Sequence, residues 1–543
     1  MASRNHRIVS AREYHDRTAH TPRSVRASGH TLDWDIKPLP FKIYAELPAI
    51  ALPRDFPALT ADTLPALSAA PDPSQPLDLE RLAALLFFSA GVTRTMKYPS
   101  GLEVHFRAAP STGALYQTEV YVVAGDVTGL GPGVYHFCPG DFTLRQLRDD
   151  DVRGALSRSA AHDDLAHRAA TIVVTAIYWR NTWKYQARGF RHLFWDSGTL
   201  LANLLAAAGA VGLAPMIDTG FVDDEVNHVL GIDAERETTL ELVALGPRGA
   251  PAPDPGVLPR IEHATLPLSS AEVDYPTLRE MVEVSKLRTA AEARVWRGSQ
   301  EGGPGGGGGD ADVRRRDEAR LVPTSSGGAT PSATRPEVLQ LPPARTAAGR
   351  TLSDTIQRRG SSRQFSHEAI GGADLATALW AATRPIPADV PSGLVELFLI
   401  VNAVEGVAPG AYVYRPAAHA LELVRAGAFR DRASYLTLEQ ALGGDAAATI
   451  FFLSPLEAVR ARWGDRGYRL VNLEAGIAGG RAYLAAYAQG FGASGLTFYD
   501  RQVVEFFAPA SAGLDAIFVT ALGQSARQPR TPLIDRLSRP AEQ

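Results

Sequence analysis

Apolar residues spaced by three and four predict a helix from Leu79 to Ala90, with Leu79, Leu82 and Leu86 on one face and Asp78 placed to cap the start. β-Branched and aromatic runs then predict strands over residues 118–124 and 133–137, the second turned by Gly131-Pro132-Gly133. The β-branched run Thr171 to Ala176 reads as a buried strand. Polar residues around Lys184 and Tyr185 follow, then a long helix from about Arg191 to Gly209 and a closing strand over residues 240–245. Ahead of all these, Trp34 to about Pro76 is interrupted by proline too often for long helices and reads as a segment wrapped over a surface.

The same order of patterns returns in the second half. Val395 to Val401 echoes the strand at Glu119, and Gly410 to Tyr414 echoes Gly133 to Phe137. Arg462-Trp463 followed by Arg466-Gly467-Tyr468-Arg469 matches Lys184-Tyr185 followed by Arg188-Gly189-Phe190-Arg191, and Ala521-Leu522-Gly523 matches Ala244-Leu245-Gly246. The four shifts are 277, 277, 278 and 277 residues, so the chain reads as a duplicated domain. Gly, Pro, Ser, Thr and Ala dominate between the halves, a composition that cannot offset its own ordering entropy and predicts a flexible linker. The expected organisation is a first domain over 1–295, a linker over 296–350 and a second domain over 351–543.

A chain of 543 residues exceeds what one core usually organises, which agrees with two domains. The net charge of −4, with both signs dispersed, leaves no electrostatic footprint for nucleic acid or an anionic membrane. Cys138 is the sole cysteine, so an intrachain disulfide, a structural zinc site and an iron–sulfur cluster are excluded, and a reducing cytoplasm is the expected location. No spacing of His, Asp and Glu points to a metal site. The first residues, Met1 to Arg7, lack the apolar stretch of a secretory signal. Leu200 to Ile217 is interrupted by Asn203, Gly209, Gly212 and Pro215 and reads as a buried helix entering a loop, not a membrane span.

Two short stretches carry candidate chemistry. Arg358-Arg359-Gly360-Ser361-Ser362-Arg363 offers guanidinium and hydroxyl donors suited to a phosphate, although an arginine cluster alone suits a solvated face equally. Pro110-Ser111-Thr112-Gly113-Ala114-Leu115-Tyr116 is a turn whose glycine lets backbone approach a flat ring. Gly490-Phe491-Gly492-Ala493-Ser494-Gly495 has the lettering of a dinucleotide-binding loop, but it follows a predicted helix (Leu473 to Gln489) where that motif requires a strand. The run Gly305 to Gly309 has neither a preceding strand nor a Gly-Lys-Ser/Thr ending, so it is not read as a phosphate loop.

These motifs, with Lys184-Tyr185 upstream of Arg188-Gly189-Phe190-Arg191, resemble the nitroreductase family of flavoproteins, and more narrowly its SagB-type branch, which includes azoline dehydrogenases of thiazole- and oxazole-containing peptide biosynthesis. The resemblance implies an α+β fold, with a central, mainly antiparallel sheet flanked by helices, and FMN at an interface contacted from both sides. A fused pair is then an intramolecular pseudo-dimer with two possible sites. Nine positions separate Pro110 from Glu119, whereas five separate Pro391 from Glu396, so the second half has lost the Gly-Ala-Leu-Tyr part of the turn. The first half in turn has only Arg17-Thr18-Ala19-His20 in place of the Arg/Ser motif, and Pro247-Arg248-Gly249 where the second half offers Arg527 and Arg530.

The complementary set implied for FMN is Arg359, Ser361, Arg363, Arg527 and Arg530 at the phosphate end, Pro110, Ser111 and Gly113 against the ring, and Ser494, Gly495 and Leu496 as a loop facing the flavin N5, giving one FMN per chain. Lys184 and Tyr185 match the Lys-Tyr pair associated with proton removal in azoline dehydrogenases; Arg462-Trp463 in the second half cannot serve as a base. His192 and His20 are candidates for polar contacts nearby. The activity implied is oxidation of a peptide-borne azoline or related heterocycle, with biosynthetic proteins as partners. An NAD(P)H-dependent reductase of nitro, quinone or flavin substrates and a non-catalytic scaffold are the alternatives.

Overall fold

The computed structural model describes residues 7–68, 75–97, 99, 103–298 and 337–526. Most of the expected linker, with Arg527 and Arg530, lies outside them. The first half contains β1 (Ala49–Ala51), a hairpin of β2 (Val92–Lys97) and β3 (Glu103–Arg107), then β4 (Thr118–Ala124), β5 (Gly133–Cys138), β6 (Thr143–Arg148), β7 (Arg168–Ile177), β8 (Met216–Asp218) and β9 (Glu237–Arg248). The second contains β10 (Val338–Gln340), β11 (Glu396–Val401), β12 (Gly410–Arg415), β13 (Ala420–Ala426), β14 (Ala448–Ser454), β15 (Gly492–Gly495) and β16 (Asp515–Gly523).

Outside the hairpin these strands build two sheets of one topology. The first runs β1-β6-β5-β4-β7-β9-β8 and the second β10-β13-β12-β11-β14-β16-β15, with antiparallel neighbours throughout. Even the irregularities repeat. The register slips between Val174 and Thr175 in β7 and between Phe452 and Leu453 in β14, and again between Val134 and Tyr135 in β5 and between Ala411 and Tyr412 in β12. Because a bulge fixes which side chains face which side of a sheet, matching bulges make the two halves structural duplicates residue by residue.

Period-two alternation decides what each central strand touches. Val120, Val122 and Ala124 of β4 join a core continuous with the second half, whereas Tyr121 and Val123 face a smaller core belonging to the first half. The large shared core is built on two long helices, Gly189–Ala210 and Gly467–Gln489, each starting before its expected residue. They cross at Gly198 and Gly476. A Cβ on Gly198 would sit 2.7 Å from the Cα of Gly476, and one on Gly476 would sit 2.6 Å from the carbonyl of Trp195, so glycine sets how closely these helices approach.

The N-termini of the long helices also lock the halves together by exchange. Arg188 and Arg191 reach Asp500, which opens the helix Asp500–Phe507 of the second half, at 3.0 and 2.5 Å. Arg466 and Arg469 reach Asp223, which opens the helix Asp223–Leu230 of the first half, both at 2.6 Å. All six side chains are buried. The conspicuous Arg-Gly-aromatic-Arg motif is therefore a reciprocal clamp, and its acids sit where a helix N-terminus favours negative charge.

Three expectations change. Residues 494–496 were expected as a loop, but Ser494 and Gly495 belong to the edge strand β15, because the β16 backbone pairs them (Ser494 with Ala521, Gly495 with Thr520). The expected linker is ordered at both ends: the helix Ala290–Gly298 precedes it, and β10 extends the second sheet. Its final residues are held by the first half, where the Asp62 carboxylate accepts from the Ala348 and Gly349 amides at 3.0 and 2.7 Å. The proline-interrupted segment contributes an edge strand, β1, besides wrapping the surface. Among the described residues no helix is long and apolar enough to cross a membrane.

Candidate functional site

The turn at Pro110 is held in shape by a carboxylate that sequence reading missed. Asp196, buried in the first long helix, accepts from the Thr112 amide at 2.9 Å, the Thr112 hydroxyl at 2.6 Å and the Gln117 side chain at 2.8 Å, and also from Ser111. Thr199, one turn further along, donates to the Pro110 carbonyl at 2.7 Å. Burial lifts the Asp196 pKa to about 6 against the pull of these donors. So anchored, the turn holds Gly113 at φ +64°, and a Cβ there would lie 2.8 Å from the Tyr185 hydroxyl and 3.4 Å from Lys184 Nζ. Gly113 thus packs directly against the Lys-Tyr pair at the end of the helix Tyr178–Tyr185.

The Arg/Ser motif reaches the same place from the second half. It leaves the helix Leu352–Arg358, and the Ser362 amide donates to the Ala493 carbonyl of β15 at 2.8 Å. Arg363 is exposed and lies close enough to Lys184 and Tyr185 for its charge to act on both. Burial, reinforced by Arg363, lowers the Lys184 pKa; burial together with Asp196 raises that of Tyr185 and keeps its hydroxyl protonated. Neither Lys184 nor Arg363 has an acidic partner among the described residues. Ser361 lies against the Tyr483 hydroxyl, which accepts from the Gly495 amide. Gly495 itself is exposed at the sheet edge, while Ser494 and Leu496 are buried beside it.

Arg359 goes elsewhere. It donates to the Ala108 carbonyl at 3.0 and 2.8 Å, to Arg107 at 2.9 Å and to its own neighbour Gly360 at 3.3 Å, so its guanidinium grips the backbone that leads into the turn and does not face open space. His192 is fully buried between Tyr185 and Trp195, with ring centroids 4.3 and 4.6 Å away, and burial keeps it neutral. His20 hydrogen-bonds through its backbone to Asp500. Of the two histidines, only His192 packs against the Lys-Tyr pair; His20 belongs to the clamp at Asp500.

At the pseudo-equivalent position the protein fills its own site. Glu474 stands where Asp196 does, 278 residues on, and accepts from the amides of Gly393, Leu394 and Val395 at 3.1, 2.8 and 3.2 Å; burial raises its pKa to about 7. The strand edge that Gly495 leaves exposed is covered here, since the Ile217 amide donates to the Pro387 carbonyl at 2.8 Å and Asp389 returns the contact at 2.9 Å. Trp296 closes what remains. Its indole donates to the Trp463 carbonyl at 3.1 Å, and a Cβ on Gly220 would sit 2.8 Å from its ring. Arg297 finishes the plug by donating to the Gly220 and Ala161 carbonyls at 2.8 and 3.0 Å.

Two sheets of one topology, interlocked across long helices with a composite locus at their boundary, define a fused-tandem α+β fold, and the chain belongs to the nitroreductase family, whose model matches it twice, over residues 72–246 and 356–523. It is an oxidoreductase of that superfamily. A crystal structure of a nitroreductase-class protein from Anabaena variabilis, 29% identical, covers 97% of this chain with 100% of its own at a TM-score of 0.72, so the tandem arrangement is shared. The nitroreductase-class protein MJ1384 of Methanocaldococcus jannaschii is 32% identical over 174 residues, 32% of this chain and 82% of that protein. The microcin B17-processing protein McbC of Escherichia coli is 27% identical over 134 residues, 23% of this chain and 49% of McbC. The trifolitoxin-processing protein TfxB of Rhizobium leguminosarum is 28% identical over 183 residues, 32% of this chain and 47% of TfxB. The matched segments thus span about half the length of each peptide-processing relative.

Proposed function

We propose that the chain is an FMN-dependent dehydrogenase of SagB type that oxidises an azoline, or a related heterocycle, carried on a peptide. The observation carrying this reading is the meeting of Lys184, Tyr185, Gly113 and Arg363 at one locus, drawn from both halves, while the equivalent locus is plugged by Trp296. The residues present fit FMN. Arg363, an exposed cation without an acidic partner among the described residues, suits its phosphate, and two exposed glycines, Gly113 and Gly495, remove the Cβ atoms that would keep a flat ring at a distance.

Arg363 and Ser361 hold the phosphate end, with Arg527 and Arg530 as further candidates; Pro110, Ser111 and Gly113 border the ring, with Ser494, Gly495 and Leu496 opposite. Arg359 fixes the turn relative to the motif by gripping its backbone. Bound FMN supplies a two-electron acceptor. Lys184 takes the proton from the heterocycle carbon, a role favoured by its lowered pKa, and Tyr185, kept protonated, orients the substrate by donating a hydrogen bond. Likeness to the microcin B17-processing protein McbC and the trifolitoxin-processing protein TfxB supports a peptide-borne substrate.

The test is stoichiometry followed by reduction. Purified or reconstituted protein is expected to hold one FMN per chain and to resist bleaching by NAD(P)H alone. A ratio near two, or a chain that cannot be loaded, refutes the single-site reading, and rapid bleaching by NAD(P)H assigns the protein to the nitro- or quinone-reductase class instead.

A further inference from the structure

A cavity of about 350 Å³ opens in the first half and shares no lining residue with the set named above for FMN; Ile177, Ile232, Ile261 and Leu268 supply apolar wall, and Lys42, Tyr44 and Glu237 the polar floor. Its size is that of a small-molecule pocket, typically about 300–1,000 Å³. The floor is a connected polar network. Lys42 donates to Glu237 at 2.6 Å and to the Tyr121 hydroxyl at 2.8 Å, and Tyr121 and Thr175 donate to the other Glu237 oxygen at 3.0 and 2.5 Å.

The duplicate half shows what this sheet needs for stability alone. In matched register, Tyr121 becomes Phe398, Thr175 becomes Leu453, and Glu237 becomes Leu514, just before β16. All three replacements are buried and apolar. Buried ion pairs seldom stabilise more than well-packed apolar groups, so a polar floor retained in one copy only, under a cavity, is unexplained by folding.

We propose that this cavity is a second binding site, which takes a neutral, amide-bearing molecule or side chain with an apolar body. Lys42 spends its N–H groups within the floor, on Glu237, Tyr121 and Tyr44, whereas the Tyr44 hydroxyl, accepting from Lys42 and 3.5 Å from the Tyr121 hydroxyl, keeps its own O–H to donate to a carbonyl oxygen. On the walls, His228 and His263 each donate Nε2–H to a backbone carbonyl at 3.0 Å, which leaves Nδ1 of the neutral ring as an acceptor for an amide N–H. Three lining acids (Asp233, Glu237, Glu262) balance three bases (Lys42, Arg236, Arg260), so no net charge selects an ion. The site adjoins the candidate catalytic helix, since Ile177 immediately precedes Tyr178–Tyr185.

The experiment is calorimetric titration of the intact protein with hexanamide, hexanoate and hexylammonium, together with hexanamide soaks into crystals. Hexanamide is expected to bind at least ten times more tightly than either ion and to occupy this cavity. A floor variant carrying Lys42→Met, Tyr121→Phe, Thr175→Leu and Glu237→Leu, which copies the second half at three positions, is expected to melt no lower than the parent, retain its FMN, and bind hexanamide at least ten times more weakly. Tighter binding of an ion, hexanamide absent from the cavity, undiminished binding by the variant, or a variant that melts far below the parent each overturns the proposal, the last by making the network structural. Because FMN content is read separately, failure here leaves the dehydrogenase reading standing.

Discussion

Exchanging Asp500 for Asn tests how much of the molecule hangs on the reciprocal clamp. The carboxylate is buried, accepts from Arg188 at 3.0 Å, Arg191 at 2.5 Å and the His20 amide at 2.8 Å, and its pKa is held far below the usual range, chiefly by the two guanidinium charges acting against desolvation. Asn keeps the shape but strands two buried cations, and breaking a buried pair in this way costs about 3–5 kcal/mol. At roughly 2–4 °C per kcal/mol for domains of this size, the melting temperature should fall by about 6–20 °C. Asp223→Asn, which strands Arg466 and Arg469, should cost a similar amount. The two variants should part in function: Arg188 also lies 6.0 Å from the Trp195 ring centroid, and Trp195 stacks on the His192 that meets Tyr185, so only Asp500→Asn should loosen flavin. The pH sign is fixed as well. A depressed carboxylate pKa contributes stability above the unfolded value and loses it as pH falls through the folded one, so the acid limb of the parent should be shallower in either variant. Scanning fluorimetry across pH, with flavin absorbance recorded on the same samples, reads all three effects. A loss below about 1 kcal/mol in both variants would show that the clamp is ornamental to stability and refute the reasoning.

Lys184→Ala should lower turnover by about 10²–10⁴-fold with FMN retained. In the parent, rate should rise with pH through a Lys184 value below that of free lysine, and Lys184→Arg should abolish that limb; a limb that survives removes Lys184 as the base. Trp296→Ala should cost about 3–5 kcal/mol, read by thermal melting, yet leave the flavin ratio at one, because the second half lacks the Gly-Ala-Leu-Tyr turn; a ratio approaching two would show that the plug alone closes that site. Glu241 is fully buried with Ser197 as its hydrogen-bond donor, and its pKa is raised to about 8. Its folded form holds a proton the unfolded chain releases, so its stabilising contribution is complete below about pH 4 and drains away toward pH 8. Glu241→Gln should flatten the fall in melting temperature over that window, and parallel curves for parent and variant would count against it.

Strands with strong β-branched content were legible in the sequence: β4 spans the residues expected from it, and the duplication was plain from constant shifts. What escaped were features imposed by tertiary pairing. Gly492–Gly495 has almost no strand propensity and becomes β15 only because β16 offers it a partner. Val338–Gln340 sits in proline-rich surroundings and pairs through β13. Arg359 was expected to face phosphate because guanidinium chemistry permits it, but it permits carbonyl capture equally, and only the fold decides. Asp196 had a readable signal that was passed over: it is the single acid of its long helix, and 278 residues later Glu474 is the single acid of the other. Trp296 had none, since nothing in an alanine- and arginine-rich stretch announces that it fills a vacated cleft.

Among the described residues the helix carrying Trp296 has no counterpart in the second half, and that has a consequence for how such a molecule evolves. In a symmetric homodimer every substitution is printed at both boundaries, so no residue can block one without blocking its twin. Covalent fusion lifts that constraint, so that one boundary can harden into scaffold while its sister stays open to selection for whatever it binds.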